Sequence, residues 1–373
     1  MKEIEAAVVN GVNEEYKIES IYVDEPKANE VLVKIVASGI CHSDEAFRLG
    51  DAEYGLPAVF GHEGAGIVEE VGEAVKTVKA GDHVILSYAF CGHCHSCLRG
   101  KPATCSDWVP LNVSGRRGNG EAVFYKKDKV TPIGNFLGQS SFATHTVVDE
   151  KNITKIDRSV DLRLVGPLGC GFLTGSGTVF NGFQPEIGST LTVFGTGTVG
   201  LAAMMAAKIS AFSEIIAVDI HDHRLETSKK MGATHTINSK NIDAAEEIKK
   251  VTNGLGTDYV IDTTGVSEVM KTALDVTAQG GVYAPLAVTN KDFNISPFVD
   301  VVVGTKNIKG VLMGDAIPQL SIPQLIDFYN KDLFPFDVVI KKFDFEQINE
   351  AANASNSGEV IKPVIIIDKT YMP

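Results

Sequence analysis

Six cysteines carry the densest chemical information in this chain. Four of them, Cys91, Cys94, Cys97 and Cys105, follow the spacing C-x2-C-x2-C-x7-C, close enough to wrap one tetrahedral Zn²⁺ with four thiolates. His93 and His95 interleave with them and could compete as ligands, but with four thiols at hand they read better as solvated loop residues. Leaving four exposed thiols unliganded in so short a loop is chemically hazardous. The other two cysteines stand apart, Cys41 in G-I-C-H-S-D and Cys170 in G-P-L-G-C-G, with His62 between them in G-H-E-G. Two thiolates and one imidazole would leave the fourth corner of a tetrahedron open to water or substrate. Spacing alone does not join these three. A lone histidine is more often structural, and a lone buried cysteine packs like a small hydrophobe. If both sets bind, the chain has one closed, structural zinc and one open, catalytic zinc; the residues alone leave the second set evenly balanced between ligands and core.

A second constellation is the loop Gly195-Thr196-Gly197-Thr198-Val199-Gly200, a G-x-G-x-x-G. The strand-like run Thr190–Phe194 precedes it, the apolar helix candidate Val199–Ile209 opens from it, and Asp219 ends the next strand candidate about 20 residues on. Glycines let a backbone approach a pyrophosphate, and a helix N-terminus offers free N–H groups and partial positive charge. Asp219 can accept from adenosine ribose hydroxyls and repel a 2′-phosphate, which favours NAD over NADP. A tight turn beside a solvated aspartate is the bland alternative, and the strand–loop–helix context argues against it.

The flanking patterns divide the chain. Up to about Asp149 the runs are short and β-like: Val31–Ala37, Gly66–Val71, His83–Tyr88 and Ala143–Val148. Beyond Cys170 strands alternate with helices. Ile215–Asp219, His235–Ile237, Tyr259–Asp262, Val282–Leu286 and Ile308–Leu312 read as strands, while Arg224–Met231, Ala244–Val251 and Glu268–Val276 read as helices. That alternation predicts a parallel, doubly wound sheet. From about Asp315 the pattern is mixed again, with a helix at Ile322–Asn330 and a strand at Val364–Ile367, so the tail is expected to rejoin the first domain. The division is therefore α/β, with 1–173 and 315–373 forming a β-rich catalytic domain that carries the zinc lobe at 90–106, and 174–314 the nucleotide domain.

Composition narrows the partners. At 373 residues the chain is long for one core, and its apolar (44%) and charged (22%) fractions are those of a globular domain protein. A net charge of -13 without a basic stripe opposes a nucleic-acid or anionic-membrane partner. No apolar run reaches the roughly 18 residues of a membrane span, and the N-terminus lacks a signal layout. Clustered cysteines then favour metal over disulfides in a reducing cytoplasm. A zinc-lobe nucleic-acid module and a non-catalytic nucleotide-binding relative are the competing classes. The first is disfavoured by charge, the second by the complete Cys41, His62, Cys170 set.

In order along the chain, G-I-C-H-S-D, V-F-G-H-E-G-A-G-I-V, the four-cysteine lobe, G-P-L-G-C-G and V-F-G-T-G-T-V-G resemble the zinc-dependent medium-chain alcohol dehydrogenases essentially end to end. Within that family V-G-P-L-G-C-G-F-L-T-G-S-G-T-V-F-N, F-L-G-Q-S-S-F-A-T and I-P-Q-L-I-D-F-Y-N-K-D-L-F-P-F-D look most like the bacterial aryl-alcohol (benzyl alcohol) dehydrogenases. The resemblance implies a GroES-like catalytic domain joined to a Rossmann domain. It implies hydride transfer from a primary alcohol to NAD, giving the aldehyde. It assigns Cys41, His62 and Cys170 to the catalytic zinc and Cys91, Cys94, Cys97 and Cys105 to the structural one. Asp44 is then the carboxylate that orients the ligand imidazole, Glu63 the acid behind the zinc, and Ser43 the hydroxyl that takes the substrate proton. Thr174 and Val199 are assigned to the nicotinamide side of the cofactor, Leu286 to cofactor binding, His42 and Lys362 to its pyrophosphate, and Arg224 to its adenosine, with a solvated surface charge as the alternative for Lys362 and Arg224. Where many animal relatives end the proton relay with a histidine, this chain has Ala46. The proton then leaves either through the ribose and water or through His42. Phe136 matches a pocket-wall position, with a plain core residue as the alternative, and a serine at Ser87 would leave room for a flat ring. The family also pairs subunits through an edge strand, which Val301–Val303 and Ile308–Leu312 are expected to supply in a homodimer or homotetramer. A terpenoid, short aliphatic or thiol-adduct alcohol is the alternative substrate.

Overall fold

A computed structural model describes residues 1–373. The chain forms two units, one of Met1–Cys170, Ala316–Ile326 and Asp337–Pro373, the other of Gly171–Asp315 and Asp327–Phe336. Residues 327–336, placed by the sequence pattern in the first domain, cluster with the second unit. There Phe334 and Phe336 pack on Phe172, with ring centroids 6.1 and 5.4 Å away.

The first unit is built on two β systems. A closed barrel runs Lys2–Val9, Lys17–Val23, Phe124–Tyr125, Pro132–Asn135, Ala58–Val59. A seven-stranded sheet has the strand Glu30–Gly39 at its centre, bonded to Gly64–Val71, His145–Asp149 and Lys362–Ile366. That central strand is buried along nearly its whole length, which explains its near-continuous V-L-V-K-I-V-A rather than a polar/apolar alternation. Its register with Gly64–Val71 slips twice, at Leu32/Val33 and Ile35/Ala37. Such irregularities bend a strand and re-aim the chain that leaves it, and the chain leaving this one carries Cys41. Beneath this end lies an aromatic cluster. Phe136 meets Phe47, Tyr54 and Phe60 edge-on at 5.0 to 5.4 Å, each contact contributing about 0.5–1.5 kcal/mol beyond burial.

The second unit is a six-stranded parallel sheet in the order His235–Asn238, Glu214–Asp219, Thr190–Phe194, Thr257–Asp262, Thr277–Pro285, Asn307–Ile308. Numbered along the chain this is 3-2-1-4-5-6, the doubly wound dinucleotide order, with its switch point between Thr190–Phe194 and Thr257–Asp262. The edge departs from expectation. Pro297–Val303 is a wide helical turn, and only Asn307–Ile308 pairs with the sheet. Pro297 stands in the first turn, where it is preorganised for a helix, and Asp300 holds Ser296 N (2.7 Å) and Lys271 Nζ (3.2 Å). These contacts override the strand preference of the valines. No helix is long and apolar enough to cross a membrane.

Candidate metal centres and nucleotide loop

Cys41 and His62 are brought together because they flank paired strands. Ser38 lies opposite Gly64, so the chain leaving one strand and the chain entering the next emerge side by side. Cys170 arrives on the turn Gly166–Gly169. Donor atoms of Cys41, His62, Glu63 and Cys170 all lie within 4.8 Å of one another, and His62 Nε2 is 3.1 Å from Cys170 Sγ. The ring is held from behind by Asp44, fully buried, whose Oδ1 is 2.8 Å from His62 Nδ1 and also accepts Gly61 N at 3.0 Å. With Asp44 accepting from Nδ1–H, Nε2 faces the sulfurs and is the nitrogen that a metal ion would bind on displacing its proton. The same carboxylate accepts Cys41 N at 3.1 Å, completing a reciprocal cap on the helix His42–Leu49. One side chain thus fixes two prospective ligands.

The electrostatics suit a cation. A hydrogen bond from Cys170 pulls the Cys41 thiol well below its ordinary value, while the same bond and burial push Cys170 well above. Burial works against charging His62, yet Asp44 and Cys41 outweigh it and the ring sits well above its usual range. Two sulfurs and a ring share protons that a divalent ion displaces on binding. A Cys2His set with one open position is the donor set of catalytic zinc in alcohol dehydrogenases, so the residues fit the metal.

Glu63, expected behind the metal donors, lies there and is paired with Lys362. The family resemblance assigns Lys362 to a pyrophosphate, but the residue is 2% exposed and its ammonium protons are spent. It donates to Glu63 Oε1 and Oε2 at 3.0 and 2.8 Å and to Ile40 O at 2.8 Å. Burial opposes the ammonium, but the Glu63 and Cys41 charges raise it above its ordinary range. Lys362 is thus paired with the acid behind the metal donors. Gly39 makes this possible, since a Cβ there would lie 2.0 Å from Glu63 Oε2. Sequence reasoning also missed Gln139. Its Nε2 donates to His62 O at 2.8 Å and its Oε1 accepts Gly64 N at 3.3 Å, clamping the backbone on both sides of Glu63. A buried glutamine leaves no spacing signal.

The four remaining cysteines converge on one point. All four sulfurs lie within 4.8 Å of one another, with Cys91–Cys97 and Cys94–Cys105 at 4.0 Å. Zn–S bonds of about 2.3 Å put tetrahedral sulfurs about 3.8 Å apart, whereas a disulfide needs about 2 Å. Backbone N–H groups of Cys97 and Ser106 bring the Cys94 thiol down to about 5, while burial lifts Cys97 to about 12. Crowded thiols resist joint ionisation, and a bound dication removes that resistance. His93 places Nδ1 3.0 Å from Cys91 O, and His95, exposed, starts the short helix His95–Leu98.

In the second unit Gly195 has φ +86° and its N–H bonds Val218 O at 2.9 Å, so the loop leaves one strand while tied to the next. Gly197 precedes the 12-residue helix Thr198–Ile209 and has open space where a Cβ would stand. A Cβ on Gly200 would lie 2.1 Å from Gly195 O, so only glycine permits this packing. These are the features of a pyrophosphate cradle. Asp219, 7% exposed, accepts Thr196 N and Oγ1 (both 2.8 Å) on Oδ2 and Ile220 N (2.7 Å) and His221 N (2.9 Å) on Oδ1. Its lone pairs are matched within the chain, so a ribose hydroxyl binds there only by displacing one of these donors, of which the Thr196 hydroxyl is the one free to rotate. Arg224 is half-buried. Burial pulls its guanidinium down while Asp219 draws it up.

Thr174 and Val199 are half-exposed in this unit, as is Leu286, whose N donates to Asp262 O at 2.8 Å. In the first unit His42 is exposed, and Ser43 Oγ lies 4.0 Å from Cys41 Sγ. Phe136 is fully buried and meets the His62 ring edge-on at 5.6 Å, so it is core and a support for His62 at once. Ser87, expected to leave room for a ring, is also fully buried, its hydroxyl donated to Gly169 O at 2.7 Å.

A barrel-and-sheet unit with two sulfur-rich clusters of prospective metal donors, together with a doubly wound unit of dinucleotide-binding strand order, points to a zinc-dependent dehydrogenase. Family models agree in both halves. Residues 27–158 match the alcohol dehydrogenase GroES-like domain and residues 198–331 the zinc-binding dehydrogenase. Geraniol dehydrogenase of Castellaniella defragrans is 37% identical over 366 residues, 97% of either chain. Benzyl alcohol dehydrogenase from Acinetobacter calcoaceticus superposes with a TM-score of 0.93 at 38% identity, covering 98% of this chain and 100% of that one. An alcohol dehydrogenase zinc-binding domain protein from Burkholderia ambifaria does so with TM-score 0.93 at 39% identity, covering 98% and 99%. The chain belongs to the zinc-dependent medium-chain alcohol dehydrogenases, and is an oxidoreductase of that family.

Proposed function

We propose that this protein interconverts primary alcohols of the benzyl or allylic type and their aldehydes, with NAD as partner and two zinc ions per chain. The observation that carries the reading is the Cys41, His62, Cys170 donor set with Asp44 locked behind the imidazole. Relatives named for benzyl alcohol and geraniol share an unsaturated primary alcohol, which supports the substrate class. Zinc at the three donors would supply the Lewis acidity that lowers an alcohol's pKa, and NAD would supply the hydride acceptor. The chain's own residues do the rest. Asp44 holds His62 in one tautomer. Ser43, beside Cys41, accepts the alcohol proton on Oγ and passes its own outward, to the cofactor ribose and water or to His42, since Ala46 offers no acceptor. Four donors on Asp219 fix the loop that receives the pyrophosphate.

The test is a panel of benzyl alcohol, geraniol, ethanol and S-(hydroxymethyl)glutathione with NAD and NADP, alongside metal analysis. Equal kcat/KM for ethanol and benzyl alcohol sinks the specificity, and NADP turnover matching NAD sinks the cofactor assignment. Geraniol preferred over benzyl alcohol selects the terpenoid reading, which the geraniol relative supports.

The six free cysteines suit a reducing cytoplasm. Phe298 (69% exposed), Val299, Val302 and Val303 beside the edge strand at Ile308 form an apolar face, and this face supports a homo-oligomer, dimer or tetramer. Val302→Asp with Val303→Asp should yield folded monomer in sedimentation, and an unchanged mass excludes this face.

A further inference from the structure

A second buried carboxylate, Glu45, stands next to Asp44 and takes no part in the chemistry above. It is 2% exposed and holds four donors: Tyr16 Oη (2.8 Å) and Arg48 Nε (2.9 Å) on Oε1, Arg48 Nη2 (2.7 Å) and Asn356 Nδ2 (2.7 Å) on Oε2. That fills its acceptor capacity. The partners are themselves held. Arg48 Nη1 donates to Glu14 O at 2.7 Å, and Tyr16 exchanges two backbone bonds of 2.9 Å with the Asn349 side chain.

Helix ending does not explain this network. The helix His42–Leu49 is already capped by Cys41 with Asp44, and it stops at Gly50 in the left-handed region. Nor does stability alone, because a buried ion pair is often no better than an apolar replacement of the same volume. Rotation does explain it. Successive residues on a helix point about 100° apart, so Asp44 fastens the helix to Gly61 and His62 on one side while Glu45 fastens it on another. One anchor would let so short a helix roll about its axis, and two fix the direction of Cys41 Sγ and Ser43 Oγ. Asn356 ends the helix Ile348–Asn356, and the next strand begins with Lys362, so one segment reaches Glu45 beside Asp44 and Glu63 beside His62.

We propose that Glu45, with Tyr16, Arg48 and Asn356, is a positioning network that sets the orientation of the Cys41 helix and hence the geometry of the three-donor metal site. This rests on the reading of that site as the catalytic zinc. The experiment uses the holoenzyme and the variants Tyr16→Phe, Asn356→Ala and their double, each of which leaves the Glu45–Arg48 pair in place. Metal release to a chelator, resolved into the three-donor and four-cysteine sites, is followed with the cobalt(II)–thiolate spectrum, thermal midpoint and kcat against KM. The double variant should release the three-donor metal about tenfold faster, shift its cobalt spectrum and lower kcat, with four-cysteine release and KM for NAD unmoved. A lowered midpoint with both release rates and the spectrum unchanged makes Glu45 a fold stabiliser only and overturns the proposal. Wild-type protein whose metal is all in the four-cysteine site overturns the metal reading itself and the proposal with it.

Discussion

Replacing Lys362 by Met would strand the Glu63 carboxylate, fully buried, against three metal donors. Breaking one side of a buried pair costs about 3–5 kcal/mol, and a denaturant titration of K362M should show a loss of that size. If the ammonium serves Glu63 alone, NAD affinity stays within a few-fold, and a larger loss assigns Lys362 to the pyrophosphate as well. Ser43→Ala should lower kcat by about 10²-fold or more with zinc content intact, and unchanged turnover would remove Ser43 from the proton path. The four-cysteine lobe is readable in the sequence because its thiols are close together, whereas Cys41, His62 and Cys170 are joined there only by the family resemblance and, in space, by the fold. Lys362 is open to misreading because a lysine that pairs with a carboxylate and one that meets a phosphate look alike until burial is known. Gln139 and Glu45 give no signal, since their roles depend on contacts 77 and 311 residues away.

The helix His42–Leu49 carries a pH dependence of its own. Burial works to raise the Glu45 carboxyl, but Arg48, Asn356 and Tyr16 outweigh it and the folded value falls below the ordinary 4.5. A lowered carboxyl stabilises the fold fully above its unfolded value, and that contribution disappears as pH drops through the folded value. Wild-type stability should therefore decline below about pH 4.5 more steeply than that of a Glu45→Gln variant, measured by thermal melts across pH 3–7. Among the elements, the strand, glycine loop and helix of Thr190–Ile209 are legible because apolar run, glycines and apolar run have no other arrangement. Pro297–Val303 is not. Four valines and a phenylalanine favour a strand, and the helical turn is decided by Pro297, Asp300 and a lysine, Lys271, from another helix.

At the level of the molecule, the four-cysteine lobe has only short helices, His95–Leu98, Pro102–Thr104 and Trp108–Val113, to order it. On the proposed reading, metal binding would supply much of its folding energy. A strong chelator should lower the thermal midpoint and open 90–106 to protease in the same titration, and no loss of midpoint on removing this metal would count against a structural role. The order of parallel strands in the second unit agrees with the alternation of strand and helix patterns along the sequence. The return of the C-terminal segment to the first unit is visible in the sequence only as a change of pattern. Its strand register, Val364 opposite Gly39, is not, because strand partners that far apart share no local signal.

The pairing of Glu63 with Lys362 spans 299 positions. During synthesis the acid leaves the ribosome long before its counter-charge exists, and at translation rates of about 5–20 residues per second it waits tens of seconds. Burial lifts the Glu63 carboxyl to about 7 even with Lys362 beside it, so until the lysine arrives the acid is either hydrated or protonated and the charged pair of the finished site is missing. A nascent polypeptide stalled before Lys362 should hold zinc in its cysteine lobe yet leave the second site soft, and proteolytic clipping ahead of that strand should return mature enzyme to the same unfinished state.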